Sequence, residues 1–268
     1  MSAAVEARLK ALAITDHDTF DGFYSAELPA KDAGLELICG IELSTRYDGR
    51  SAHLLAYFLD TEPDKQFHSW LHGVQKLRKE RNRKIAQKLQ DLGIDTCLEE
   101  AESLGKAITG RLHFARALVA KEIVTSVQEA FDRYLGEEAP AYVEMEEPTL
   151  EGAIQRVREV GGVPVLAHAV RLGYRNPLEE DRMLRHLADC GLEGLEVYHP
   201  DHSGPIARRY LGLARKYGFC VTGGSDFHGD AKPRIQLGRG TRGNAIVPYA
   251  LLTGMRSNHA HRRALVVA

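Results

Sequence analysis

The chain has 268 residues, 44% of them hydrophobic and 27% charged, with a formal net charge of −2; it can bury a full core as one large domain, or one domain plus an insertion. The near-neutral balance argues against holding long nucleic acid by counterion release, while local Arg and His groups could still grip a short phosphorylated ligand. With no apolar run of membrane-spanning length, no signal-peptide pattern and four scattered cysteines that form no CxxC, the expectation is a cytoplasmic protein with reduced thiols and no membrane partner.

SAAVEARLK, residues 2 to 10, has the pattern of an amphipathic helix feeding an apolar strand, Ala11 to Thr15, that stops at Asp16-His17-Asp18. Phe23 to Asp32 reads as helix despite Pro29, and Leu35 to Ile41 as the next strand. Strand-like residues then flank Tyr47-Asp48-Gly49-Arg50, where Asp-Gly signals a hairpin whose return arm carries His53. From Asp64 to about Glu147 the pattern is helical throughout, beginning with QKLRKERNRKIAQKLQDLG, whose charge run reads as a solvated face. Alternation resumes at Thr149. Helix 150–160 precedes strand 163–167, helix 178–190 precedes strand 194–198, and helix 205–217 precedes strand 219–222. Such alternation predicts an α/β fold with a parallel sheet, residues 1–62 and 148–268, interrupted by an all-helical insertion over 63–147.

Strand after strand ends in a side chain able to bind metal. Ala11 to Thr15 leads to His17, Leu35 to Ile41 to Glu42, and Val163 to Ala167 to His168. Gly194 to Tyr198 leads to His199, and Phe219 to Thr222 to Asp226 and His228. In a β/α barrel the C-terminal strand ends converge on one face, where active sites are built. Imidazole and carboxylate donors suit zinc, manganese or iron, and the lack of thiolates favours an open catalytic site over a closed structural one.

In order, the segments TDHDT, GIELS, HLLAYF, AHA, EVYHPDHS and GSDFHG resemble the PHP (polymerase and histidinol phosphatase) phosphoesterases over nearly the whole chain. They are most similar to the bacterial subgroup acting on 3′,5′-nucleoside bisphosphates and the 5′ ends of short RNAs. The resemblance implies a distorted seven-stranded β/α barrel with up to three divalent ions. It implies that Glu42 bridges two ions, His53 and His168 complete the second, Asp226 serves the first, and His17 and His228 hold the third. Asp16 and Asp18 would position the His17 loop. Arg111 and His113, in Thr109-Gly110-Arg111-Leu112-His113, would bind phosphate at a helix start. His199 would contact the scissile phosphate or protonate a leaving oxygen, and His202 is a weaker substrate-binding candidate.

The expected function is phosphate-ester hydrolysis by metal-activated water on small nucleotides or short oligonucleotide ends, with no long nucleic acid as partner. The alternatives are a histidinol-phosphate-type phosphatase and a catalytically impaired module that binds nucleotide or a partner protein. The family pattern opens with an HxH strand and a further Asp or His ligand, whereas this sequence opens inside that region. The expectation is therefore a barrel lacking its first strand and three ligands, holding fewer than three ions. His259-Ala260-His261, in a helix-like tail, is not expected to replace them.

Overall fold

The computed structural model describes residues 1–104, 109–229 and 232–267. The chain divides into two compact units, one of Met1–Asp16, Phe20–Asp64 and Pro148–Ala268, the other of His17–Thr19 and Lys65–Glu147. Among the described residues no helix is long and apolar enough to cross a membrane.

The first unit opens with a short helix α1 (Ser2–Glu6), then β1 (Ala11–Ile14), α2 (Asp21–Asp32), β2 (Glu36–Tyr47) and β3 (Arg50–Phe58). After the helical unit it resumes with α7 (Leu150–Glu159), β4 (Val163–Leu166), α8 (Pro177–Asp189), β5 (Gly194–Tyr198), α9 (Gly204–Tyr217), β6 (Cys220–Gly223) and α10 (Ala250–Val267). The strands form a six-stranded sheet in sequence order, β1 to β6. Local chemistry sets many of these boundaries. Asp48 and Gly49 both take positive φ (48° and 72°), which closes the β2–β3 hairpin with the right twist. The Thr149 and Asn176 side chains cap α7 and α8 by accepting from the amides of Gly152 and Leu178. α1 is shorter than its sequence pattern suggests, and β2 continues through Glu42 to the hairpin.

The sheet is mixed: the Asp-Gly hairpin stands as the sequence predicts, and the correction to the parallel expectation is that β4 also pairs antiparallel with β3. β1–β2, β4–β5 and β5–β6 are parallel, but β3 runs antiparallel to both β2 and β4. An antiparallel strand presents its first residues at the edge where its parallel neighbours present their last. His53, near the start of β3, therefore sits beside Ala167, just past the end of β4, whose N–H donates to the His53 carbonyl. The β2–β3 register pairs Ser44 with His53, so Glu42, Ser44, His53 and Leu55 share a face. Below them Leu55 packs with Val163, Val165, Ala167, Cys220 and Met255 of α10, forming an apolar floor.

The helical unit contains α3 (Lys65–Asp91), α4 (Leu98–Ser103), α5 (Arg111–Ala120) and α6 (Val127–Ala130). Its core joins Ile85 and Leu89 to Leu98, Phe114, Leu118, Ala130 and Leu135. The α3 charge run is not wholly solvated, a second correction. Val74, Arg78, Arg81, Ile85 and Leu89 recur at helical spacing on one buried face, while Lys79, Glu80, Arg83 and Lys84 are exposed.

β5 begins at a glycine because its neighbours leave no room for more. A Cβ on Gly194 would lie 2.6 Å from Cys220 Sγ and 2.7 Å from Val165 Cγ2. Gly194→Ala is expected to cost about 1–3 kcal/mol, read as a lowered denaturant midpoint.

Candidate metal and phosphate site

Three side chains from three strands or strand ends converge on one point. His53 Nδ1 lies 2.8 Å and His168 Nε2 3.0 Å from Glu42 Oε1, and the two nitrogens are 3.2 Å apart. Adjacent donors around an ion with bonds of about 2.0–2.1 Å lie roughly 2.8–3.4 Å apart, so these spacings fit a divalent cation. Two imidazoles and one carboxylate are the donor chemistry of zinc, manganese and iron rather than of calcium. Burial lowers the pKa of His168 and so favours the neutral, ligating imidazole.

Backbone geometry aims His168 there. Val163, Val165 and Ala167 alternate onto the inner face, so a continued strand would turn residue 168 away from it. Instead His168 takes φ 21°, ψ 56°, and its N–H donates to buried Glu196 Oε2 at 2.7 Å. Burial pushes the Glu196 carboxyl up to about 7, opposed by the nearby His199 and the His168 amide and reinforced by Glu42 and Asp226. Glu196 was not singled out from sequence, because one acid inside the strand GLEVY reads as ordinary.

Beside this trio stands a second group. Asp226 Oδ2 accepts from Lys232 Nζ at 2.6 Å and from the Arg171 guanidinium at 3.0 Å, with His199 Nε2 3.5 Å away. Burial alone would raise the Asp226 carboxyl, but His199, Lys232 and the His228 charge hold it well below the usual carboxylate range. The Asp201 amide donates to His199 Nδ1 at 3.1 Å, so in the neutral ring the proton sits on Nε2, facing Asp226. His228 Nδ1 donates to the Asp226 carbonyl at 2.8 Å, which leaves the lone pair on Nε2, the orientation of a ligating imidazole. Arg171 is held by Asp201 as well as Asp226. Asp16, half-buried near the start of α2, has its carboxyl raised by burial and by Asp21.

His202 is 1% exposed, its Nδ1 donating to the Val197 carbonyl at 2.8 Å and its ring packed between His199 and Tyr210. It lies behind His199, away from solvent. The rings of His53, His168, His199 and His202 follow one another at centroid distances of 5.0, 5.4 and 5.3 Å.

His17 and Asp18 fall in the helical unit. There the buried Asp18 carboxylate pairs with Arg78 of α3. Arg111, first residue of α5, lies against the Phe131 and Tyr142 rings, and His113 Nδ1 accepts from the Gly110 amide at 3.1 Å. Burial, then the charges of Arg78 and Arg111, lower Arg81 to about 10. Arg81 thus feels the charges of both Arg78 and Arg111, with Glu147 opposing them; of the three, the sequence singles out only Arg111. The spacing of Arg78 and Arg81 with Val74 and Ile85 was the available signal.

Glu42, His53 and His168 thus stand beside Asp226, His199, His228, Arg171 and Lys232, a donor set whose chemistry suits metal-assisted reaction at a phosphate. No profile of a known protein family matches the chain. It is 34% identical over 241 residues to the 5′-3′ exoribonuclease Rnm of Escherichia coli, a match spanning 88% of this chain and 80% of that protein. It is 30% identical over 220 residues to the 3′,5′-nucleoside bisphosphate phosphatase of Chromobacterium violaceum, spanning 81% of this chain and 76% of that one. A solved structure from Bifidobacterium adolescentis, assigned as a metal-dependent phosphoesterase, superposes with a TM-score of 0.81 at 27% identity, over 94% of this chain and 87% of its own. The chain belongs to the PHP family, alongside the nucleoside bisphosphate phosphatases and 5′-3′ exoribonucleases, and is a phosphate-ester hydrolase dependent on divalent metal.

Burial lowers the His202 pKa from 6.5 to about 4, so the folded state holds the neutral ring. Its contribution to stability is present above pH 6.5 and is lost as pH falls toward 4, since the unfolded chain then binds the extra proton. Thermal unfolding across that range should show His202→Asn flattening the acid-side loss by up to about 3 kcal/mol.

Proposed function

We propose that this protein hydrolyses phosphate esters on small nucleotides, 3′,5′-nucleoside bisphosphates above all, or on the 5′ ends of short oligonucleotides. The observation that carries the reading is the convergence of Glu42, His53 and His168 on one cation-sized point. These three would hold one ion, which we assign as manganese, zinc or iron. Asp226 and His228 would serve a further position, and His17 belongs with the ligands by its place in TDHDT. An ion held there would supply Lewis acidity for the phosphoryl group and for an attacking water.

The chain's own residues do the rest. His199, with its proton on Nε2, donates to the scissile phosphate or to the leaving oxygen. Arg171 and Lys232 balance the charge of Asp226 and bring positive charge to where phosphoryl oxygens gain negative charge. His202 supports His199 from behind, which suits packing better than direct substrate contact. In the helical insertion, Arg111, with Arg78, Arg81 and His113, recognises a phosphate, and Arg111 offers it paired donors. Asp18 fixes Arg78, and with Asp16 holds the His17 loop. The −2 net charge supports a short substrate over a long polyanion.

With manganese, the protein is expected to release inorganic phosphate from 3′,5′-bisphosphoadenosine faster than from histidinol phosphate, and Glu42→Ala should lower the rate by about 100-fold or more. Preference for histidinol phosphate would overturn the substrate assignment, and metal-independent release would overturn the mechanism. Arg111→Ala should raise KM about 10-fold or more with a smaller change in kcat.

A further inference from the structure

Glu196 binds no substrate in the scheme above, yet it occupies a telling place. It lies on β5 two residues after Gly194, and strand alternation puts both on the inner face, where Gly194 pairs with Val165 and Cys220. Its carboxylate is buried, and Oε2 accepts from the His168 N–H at 2.7 Å. That amide belongs to the residue whose backbone leaves the strand at φ 21°, ψ 56° and whose ring swings back to Glu42. A side-chain imidazole can be aimed in two ways, through its ring nitrogen or through its backbone. His168 uses the second. Its Nε2 faces Glu42 and His53, and the hold from β5 falls on its main chain.

We propose that Glu196 is a positioning residue for the metal centre, fixing the His168 turn through the backbone N–H so that the imidazole is held at Glu42. The inference rests on reading Glu42, His53 and His168 as metal ligands. It requires an acceptor oxygen at the end of a three-carbon acid or amide side chain. Glutamine supplies that acceptor, whereas aspartate withdraws it by one methylene and alanine removes it.

The test compares Glu196→Gln, Glu196→Asp and Glu196→Ala with the unaltered protein, reading manganese affinity by calorimetry and the visible spectrum of the cobalt-loaded protein. Glu196→Gln should keep manganese affinity within about 3-fold and preserve the cobalt bands, while Glu196→Ala and Glu196→Asp should weaken affinity about 10- to 100-fold and alter them. Should Glu196→Ala fail to fold, the aspartate variant carries the comparison, with thermal unfolding confirming its fold. Folded Asp or Ala variants with unchanged affinity and bands would overturn the proposal. So would a Gln variant as impaired as Ala, because the carboxylate charge rather than the acceptor would then be what matters. Failure of the underlying reading looks different: His168→Ala itself would leave manganese affinity unchanged.

Discussion

One carboxylate oxygen, Glu42 Oε1, is approached by two imidazole nitrogens from other strands, and the arrangement of the sheet around the site follows from that meeting. Glu42 comes from the body of β2, His53 from the beginning of β3, and His168 from just past the end of β4. Three parallel strands could not bring these positions to one point, because residues so different in strand position would lie at different heights. Reversing β3 solves the problem. The Asp48-Gly49 turn sends the chain back antiparallel, and the β3–β4 pairing places His53 level with the end of β4.

Holding such a cluster is electrostatically demanding. Several acids and histidines are buried together, and each unpaired buried charge would be costly. The protein manages this with specific partners. Asp226 is satisfied by Lys232 and Arg171, Arg171 is steadied by Asp201, and Glu196 spends an oxygen on a backbone amide. His202 stays neutral behind His199 and donates to a carbonyl. The helical unit follows the same logic, burying Arg78 against Asp18 while Arg81 lies near enough to Arg78 and Arg111 to feel their charge.

Much of this was legible in the sequence because ligand-type residues stand where strands end. TDHDT, AHA, EVYH and GSDFH each mark such an end, whereas Glu42 of GIELS lies inside β2 rather than at its end, and the Asp-Gly turn marks the hairpin. What escaped notice depended on tertiary placement. Alternating strands and helices predict parallel pairing, and no local pattern says that β4 joins the free side of β3. A charge run on a long helix reads as solvated until its apolar neighbours are counted, and only then do Arg78 and Arg81 fall on the buried face. Glu196 sits in an apolar strand, and its value lies in accepting from an amide 28 residues away in sequence. Arg171 and Lys232 carry no motif, and meet only at Asp226.

Glu42, His53 and His168 are proposed to hold a divalent ion. Anomalous diffraction from crystals grown with manganese tests it most directly. A manganese peak within about 2.2 Å of Glu42 Oε1, His53 Nδ1 and His168 Nε2 is the expected result. Folded protein whose manganese peaks lie only elsewhere, with these three side chains still bonded to one another, would contradict it.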